Sequence, residues 1–330
     1  MSKKFNLFFV QSPLQLESAT QARDSLDISN SIIFIDIYGK NDKNYSQIMN
    51  ALDDKWGKVY ISHGKNILLM YISYIFFLLK LWFKYRQKVE RFFYGDYRSP
   101  DYAIYESIIS PCESILLDDG AVTIAMQKAF IKKKKSVFKI KTLKHKIFKK
   151  ILEKPRVPNL FTFFELDMFM LPKQVNYHKN KNEHRVISTT SSYYYFIGTK
   201  LSEANYMKES DELRILNVVF NDYHNKKLFY IPHRGESEKK LDKIKEIGFE
   251  IKNLNQPLEA FYSTANVMPE KILSYYSTAL YTCYLKFNSQ VDLIAFDIRQ
   301  YLTPKVSLEN IDIVYDYYKD LGMEIKAIRL

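Results

Sequence analysis

Glycine is scarce in this chain, nine in 330 residues. None of the nine builds a G-x-G-x-x-G turn or a Walker A loop, the glycine-rich turns that cradle phosphate against a helix start. Cysteine is scarcer, with Cys112 and Cys283 alone. One thiol in each half, without metal-ligand spacing, excludes a disulfide-stapled scaffold and points to a reducing compartment. There is no H-E-x-x-H, no G-x-S-x-G and no D-x-D, so zinc hydrolysis, a serine nucleophile elbow and a divalent-metal clamp on a sugar nucleotide are not indicated. No metal or other cofactor is expected. No repeat of fixed period appears, which argues against a solenoid. The apolar run near the N-terminus, within "MSKKFNLFFVQSPLQ", is about five residues, too short for a secretory leader. The longest apolar stretch, "NILLMYISYIFFLLKLWFKYR" from Asn66, meets Lys80 before it reaches the roughly 18–20 residues a membrane span needs. A helix packed on a sheet is the expected form, with an interfacial helix as the alternative.

What the chain does contain is apolar and charged residues in the proportions of a globular protein, 47% and 26%, over a length that suits two domains. The net charge of +12 is uneven. Residues 132–156, "KKKKSVFKIKTLKHKIFKKILEKPR", hold a single acid, Glu153, and nearly all the excess positive charge. Ile140, Leu143, Ile147 and Ile151 recur there at helical spacing between lysines. A basic amphipathic helix suits an anionic membrane surface, and the inner face of the cytoplasmic membrane is the expected partner of 132–156. Nucleic acid is not expected as a partner, since no nucleic-acid-binding signature accompanies the lysines. A merely solvated charged face is the bland alternative.

Short apolar runs alternate with helical stretches along the first half. Phe5–Gln11, "SIIFIDIYG", "KVYIS", "VERFFYGDY" and "SILLDD" read as strands, and "PLQLESATQARD", the apolar stretch after Asn66 and "AVTIAMQKAFIKK" as helices. Such alternation indicates a parallel sheet covered on both faces, whose ligands collect beyond the carboxyl ends of the strands. Pro155 and Pro158 stop the basic helix, so a boundary is expected at 157/158, giving domains 1–157 and 158–330. In the second half "TFFELDMFML", "HRVIST", "KLFYI" and "FEIKNL" look extended. "ESDELRILNVVFNDYHN", with Ser210 or Asp211 near its cap, and "SEKKLDKIKEIG", closed by Gly248, look helical. The expected fold is α/β of GT-B type, two Rossmann-like domains facing a central cleft, although any two-domain α/β enzyme fits the pattern.

Three groups could carry chemistry. "SILLDDGAV" ends an apolar run at Asp118 and Asp119 with Gly120 behind them, either a plain turn or a catalytic carboxylate at a strand mouth. "YIPHRGE" ends another at His233, flanked by Pro232 and Arg234. "LSYYSTAL" sets Ser277 and Thr278 together, a helix cap or a phosphate clamp. A carboxylate can take a hydroxyl proton, an imidazolium can assist a departing phosphate, and hydroxyls at a helix start can hold that phosphate.

The order "SPLQ", D-D-G, a histidine beside proline, then paired Ser/Thr resembles bacterial sialyltransferases. The lipooligosaccharide sialyltransferases of glycosyltransferase family 52 are nearest in pattern, and the capsular polysialyltransferases are more distant. "FFVQSPLQLESA", "LLDDG" and "PEKILSYYSTAL" carry the resemblance. It implies an inverting, metal-independent transfer from a CMP-sialic acid donor to a galactose-type sugar on a lipid-linked or polysaccharide glycan. Asp118 would be the general base and His233 the general acid. Ser277 and Thr278 would hold the donor phosphate, with Arg234 and Pro232 beside it, and Glu259 would contact ribose or cytosine. Ser12 and Gln15 would form the N-terminal loop on the acceptor side, with Asp119 serving the Asp118 turn. One departure is plain: proline precedes His233 here and arginine follows it, where the family places proline after the histidine. Another activated sugar, or a non-catalytic module that binds membrane surfaces or nucleic acid, stays open, as does a homodimer.

Overall fold

The computed structural model describes residues 4–38, 42–64, 67–132, 143–152, 156–178, 190–254, 268–287 and 290–330. The chain divides into two compact units, Met1–Asn180 and Lys181–Leu330.

The first unit is built on six parallel strands: β1 (Phe5–Val10), β2 (Ser31–Tyr38), β3 (Lys58–Gly64), β4 (Val89–Tyr94), β5 (Glu113–Leu117) and β6 (Asn159–Phe161). Their order is β3-β2-β1-β4-β5-β6. The connections carry α1 (Pro13–Ser25), α2 (Asp42–Ala51), α3 (Ile67–Tyr85), α4 (Pro100–Ile109), α5 (Val122–Ile131), α6 (Leu143–Ile147) and α7 (Lys149–Leu152). β1 reads FNLFFV because it is covered on both faces, and all but its first residue are buried. Phe8 pairs in register with Ile33 on one side and Phe93 on the other, and its ring stacks on Phe93 at 4.2 Å. On the opposite face Phe9 stacks on Phe34 at 4.6 Å. Buried Arg23 of α1 grips Asp53 with two hydrogen bonds of 2.6 and 2.7 Å and lies over the Trp56 ring, which ties α1 to the segment after α2.

The second unit repeats the plan with β7 (Thr190–Ile197), β8 (Lys227–Ile231), β9 (Glu250–Ile251), β10 (Met268–Ser274), β11 (Asp292–Asp297) and β12 (Glu324–Ala327). Their order is β12-β11-β10-β7-β8-β9, again all parallel. Its helices are α8 (Glu209–Tyr223), α9 (Glu238–Ile247), α10 (Thr278–Phe287) and α11 (Leu308–Asp320). Numbered from its own first strand, each sheet has the order 3-2-1-4-5-6. The chain therefore reverses its winding between β1 and β4 in one unit and between β7 and β10 in the other. Those are the points at which ligands bind in open parallel sheets.

Several expectations are corrected. The first unit extends past the break foreseen at 157/158, because Asn159–Phe161 pairs with Ile115–Leu117 and the following segment stays on that sheet edge. "TFFELDMFML" is accordingly no strand of the second half: only Asn159–Phe161 is extended, and Asp167–Phe169 forms a 3-10 turn. Helices α2, α4 and α11 are additional to those foreseen, and α8 has Lys208 as its N-cap. Ser277 and Thr278 follow a strand and open a helix, where an apolar helix before them and an apolar strand after them were expected. The described part of the basic segment is two short helices, α6 and α7; its residues 133–142 and 153–155 lie outside the described residues, as do "HRVIST" and Glu259. Among the described residues no helix is long and apolar enough to cross a membrane.

The second unit hides an uneven charge cluster. Lys240, fully buried on α9, sits 2.8 Å from Glu236, 3.0 Å from Glu212 and 3.0 Å from Glu203. Burial opposes its charge, but Glu212 and Glu236 more than compensate and raise its pKa, while burial raises those of both glutamates. Lys240→Ala would leave buried carboxylates without a counter-charge and is expected to cost about 3–5 kcal/mol in urea unfolding. A loss below about 1 kcal/mol would show that the carboxylates simply protonate.

Candidate active site

In the first unit the loops after β1, β4 and β5, three neighbouring strands, meet at the switch point. Pro13 opens α1 behind the N-cap Ser12, whose Oγ accepts the Gln15 N–H at 3.3 Å. That cap turns the Gln15 side chain back over the strand mouths, where it is almost wholly buried. Its Oε1 accepts the Gln11 N–H at 2.8 Å, and its Nε2 donates to Asp119 Oδ1 at 2.8 Å. The route is open only because residue 95, at the end of β4, is glycine: a Cβ there would fall 2.2 Å from the Gln15 side chain. Arg98, in the same loop, donates to Asp96 at 2.9 Å and to Asp119 Oδ2 at 2.9 Å. "SPLQ" and "DDG", about a hundred residues apart, are thus one hydrogen-bonded unit.

The two acids have different surroundings. Asp118 is 1% exposed. Its Oδ1 accepts the Thr162 hydroxyl at 2.6 Å and its Oδ2 the Phe163 N–H at 2.9 Å, while its own N–H donates to Ser18 Oγ at 3.2 Å. Burial pushes its pKa up to about 7, against the hydrogen bonds from Thr162, Phe163 and Thr123. Asp118 is a latch that fastens residues 162–164 to the end of β5, and the expectation that it presents its carboxylate to a ligand fails on this burial. Asp119 is the open member, its side chain 23% exposed. Burial of its surroundings and the nearby Asp96 carboxylate raise its pKa to about 6, with Arg98 and Gln15 working the other way. Gly120 follows at φ 77, the left-handed geometry that turns the chain from β5 towards α5.

In the second unit the loops after β7, β8 and β10 are likewise neighbours. β8 ends at Ile231, Pro232 follows, and the His233 N–H donates to Glu236 Oε2 at 2.6 Å. Glu236 also accepts the Tyr230 hydroxyl at 2.7 Å, so the buried Lys240 cluster anchors the histidine loop from beneath. His233 Nδ1 accepts the Gly235 N–H at 2.9 Å, which places the ring proton on Nε2. Burial, then Arg234, Lys200 and Lys240, lower the His233 pKa to about 4. The ring is therefore a neutral Nε2–H donor at pH 7, not the imidazolium expected of a general acid. Ser277 is the cap of α10: its Oγ accepts the Ala279 N–H at 3.3 Å, and its carbonyl accepts the Tyr318 hydroxyl at 2.7 Å. Thr278 is the first residue of that helix, so both stand at a ten-residue helix start beyond β10.

The structure thus gathers Ser12, Gln15, Asp119 and Gly120 at one switch point, with Asp118 beneath them. It sets Ser277 and Thr278 at the other, with Pro232, His233 and Arg234 one strand away, after β8. Sequence reasoning missed Gly95, Arg98, Lys200 and Glu236. "GDYR" directly after a strand was the available signal for the first two, and "GTK" after β7 for Lys200. Among the described residues no group of three His, Cys, Asp or Glu side chains is arranged to hold a metal ion.

No protein-family model matches the sequence, and no curated protein matches it. Solved structures do. UGT2 of Phytolacca americana, complexed with UDP-2-fluoroglucose and pterostilbene, aligns over 100% of this chain and 86% of its own at TM-score 0.56 and 9% identity. MurG of Acinetobacter baumannii aligns over 98% and 86% at TM-score 0.51 and 7% identity. A 2,6-sialyltransferase of Photobacterium sp. JT-ISH-224, in complex with CMP and lactose, aligns over 97% and 78% at TM-score 0.49 and 11% identity. The fold is the two-domain α/β fold of the GT-B type.

Two substitutions at Asp118 are expected to differ in stability. Asp118→Ala strands the Thr162 and Phe163 donors and should cost about 1–3 kcal/mol, whereas Asp118→Asn can still accept the Phe163 N–H on its one oxygen and donate from its NH2 to a turned Thr162 hydroxyl, and should cost less. Because the folded pKa of Asp118 lies above the unfolded value, its contribution is full in acid and is lost as pH rises from about 4 to about 7. Asp118→Asn should flatten that decline in chemical-denaturation midpoints, and an unchanged slope would place the titration elsewhere.

Proposed function

We propose that this chain is a glycosyltransferase that moves a sugar from a nucleotide-sugar donor to an acceptor hydroxyl, with inversion and without a metal. The observation that supports it best is Asp119: a partly open carboxylate, held by Gln15 and Arg98 at a GT-B switch point, with a pKa of about 6. Such a group is ionised at pH 7 yet basic enough to take a hydroxyl proton. CMP-sialic acid is the donor we favour, on the order of the motifs "SPLQ", "DDG", His233 and Ser277-Thr278. The acceptor is then a galactose-type sugar of a surface glycan.

In this reading the first unit takes the acceptor and the second the donor. The acceptor oxygen gives its proton to Asp119 and attacks the anomeric carbon, while the bond from that carbon to the phosphate oxygen breaks and CMP leaves with the electron pair. Attack opposite the leaving group inverts the centre. The His233 Nε2–H donates to the leaving phosphate as charge builds there, and Arg234 and Lys200 balance that charge. A dianionic phosphate beside the ring would also raise the His233 pKa, so proton donation late in the step remains open to it. The start of α10 at Ser277 and Thr278 holds the phosphate through its dipole and amides. Pro232 fixes the backbone before His233. A contact from Glu259 to ribose or cytosine rests on the sequence alone.

The base assignment is tested by paired variants. Asp119→Asn should lower kcat by about 10²–10⁴ with donor binding kept, and Asp118→Asn should leave most activity. The reverse ranking would return the base to Asp118. The rate should climb with pH through a single limb centred near 6, the pKa of Asp119, and this limb should vanish in Asp119→Asn. Donor identity is read by incubating the protein with CMP-sialic acid and a panel of galactosides and weighing the products. Melting shifts with CMP, UDP and GDP run in parallel, since only a ligand of the native state raises the midpoint. A shift with UDP alone would replace the donor by a UDP-hexose. Activity that survives EDTA is expected, and its loss would overturn the metal-free step.

A further inference from the structure

Helix α3 is expected from its composition to bury its apolar surface, yet among its described side chains five large apolar groups are exposed. Leu81 and Tyr85 are buried against the sheet, and Phe77 packs on Phe9, Phe34 and Tyr105. On the other side Ile75, Phe76, Leu79, Trp82 and Phe83 face solvent, with Phe76 67% and Phe83 75% exposed. At 3.6 residues per turn these five positions fall on one arc of about a third of the helix. Scattered exposed apolar residues need no explanation, but five contiguous large ones on a single helix do.

The neighbours of that arc decide what covers it. α3 packs on α4, and Asp101 of α4 accepts the Tyr74 hydroxyl at 2.8 Å and lies 3.3 Å from the His145 ring of α6. Leu152 of α7 is buried against Ile104 of α4, with Leu78 and Phe148 packed beside them. The four helices are therefore one layer, and the basic segment is fastened to α3 rather than set apart from it. Among their described side chains every exposed charged group is a lysine: Lys80 and Lys84 on α3, Lys146 on α6, Lys149 and Lys150 on α7. The acids of this layer are withdrawn, Glu106 buried against Ser114 and Asp101 engaged by Tyr74 and His145. Ile147 adds an apolar group, 73% exposed, among the lysines. Arg86 stacks on the Trp82 ring at 3.9 Å, so a cation rides on the largest exposed aromatic.

We propose that this layer docks the protein on an anionic lipid bilayer, with the outer arc of α3 entering the acyl boundary and the lysines of α3, α6 and α7 meeting lipid phosphates. A protein partner of opposite shape would not require the exposed charges of these four helices, among the described residues, to be of one sign, whereas an anionic bilayer favours it. The element that enters the lipid is α3, and the basic segment supplies the attraction. This assignment does not depend on which sugar the protein transfers, or on whether it transfers one.

The test uses the full chain and two sets of vesicles, phosphatidylcholine alone and an equal mixture of phosphatidylcholine with phosphatidylglycerol. Wild type should float with the anionic vesicles and stay in solution with the neutral ones. Brominated anionic lipid should quench Trp82 fluorescence, while Trp56, buried in the core, stays unquenched. Phe76→Glu/Phe83→Glu alters only exposed positions and should keep the wild-type melting temperature while losing at least about tenfold in vesicle affinity. If the double variant melts early, Phe83→Ser alone serves, with a smaller loss expected. Lys149→Gln/Lys150→Gln should weaken binding in low salt only. Wild type that ignores both vesicle types, or a double variant that floats as well as wild type, overturns the proposal. So does a concentration-dependent dimer abolished by the double variant without vesicle binding, since the face then belongs to a second copy.

Discussion

All the pairing between the named strands of both sheets is parallel, and this constraint orders everything else. Parallel strands deliver all their carboxyl ends to one edge, and each return path needs a crossover, here in most cases a helix. Where successive crossovers change direction, two neighbouring loops part and leave a crevice that no helix fills. In the first unit that place lies between β1 and β4, and in the second between β7 and β10. Asp118, Asp119 and His233, three side chains whose pKa values are shifted, stand at strand ends one strand from these points. Their burial follows from the sheet and not from any local peculiarity of sequence.

The acid pair shows how a sheet can hold two adjacent carboxylates. Successive residues at a strand end project to opposite sides, so Asp118 and Asp119 do not share one pocket. Asp118 turns inward and is met by a hydroxyl and an amide from residues 162 and 163. Asp119 turns to the mouth and is met by an amide and a guanidinium. Repulsion between them is the last and least of the influences on Asp118. The pair therefore divides into a structural acid and an open one.

How much of this could be read from the chain depends on sequence distance. The strands with nearly continuous apolar runs, such as FNLFFV and SIIFIDIY, are legible because two-sided burial leaves a mark on most of their residues. The cap Ser12-Pro13 is legible for the same local reason. The latch on Asp118 is not, because its donors come from Thr162 and Phe163, beyond a boundary that Pro155 and Pro158 seemed to mark. Proline stops a helix but does not end a domain, and the chain used the break to add one more strand. α4 was hidden by its composition: Tyr102, Ile104, Tyr105, Ile108 and Ile109 favour strands by propensity, and packing against β4 and α3 overrides that preference. The burial of Asp118 was hidden at the same level, since hydrophobic patterning locates the end of β5 but not which side the next residue faces.

Charge placement beneath His233 completes the argument. Three glutamates against one lysine leave the buried cluster acidic, yet His233 is not drawn into a cation by it. Glu236 spends its two oxygens on the Tyr230 hydroxyl, Lys240 and the His233 amide, so its charge grips the backbone of the loop and does not face the imidazole. The ring instead meets Arg234 and Lys200, and its Nδ1 is already occupied by Gly235. A neutral imidazole with its only proton on Nε2 is the arrangement this leaves. In the proposed reading such a ring can donate to a phosphate without having to be charged first, on a loop that hydrogen bonds to Glu236 and within itself hold in place. The donor phosphate is then the anion that the Nε2–H, Arg234 and the start of α10 would meet together in that reading.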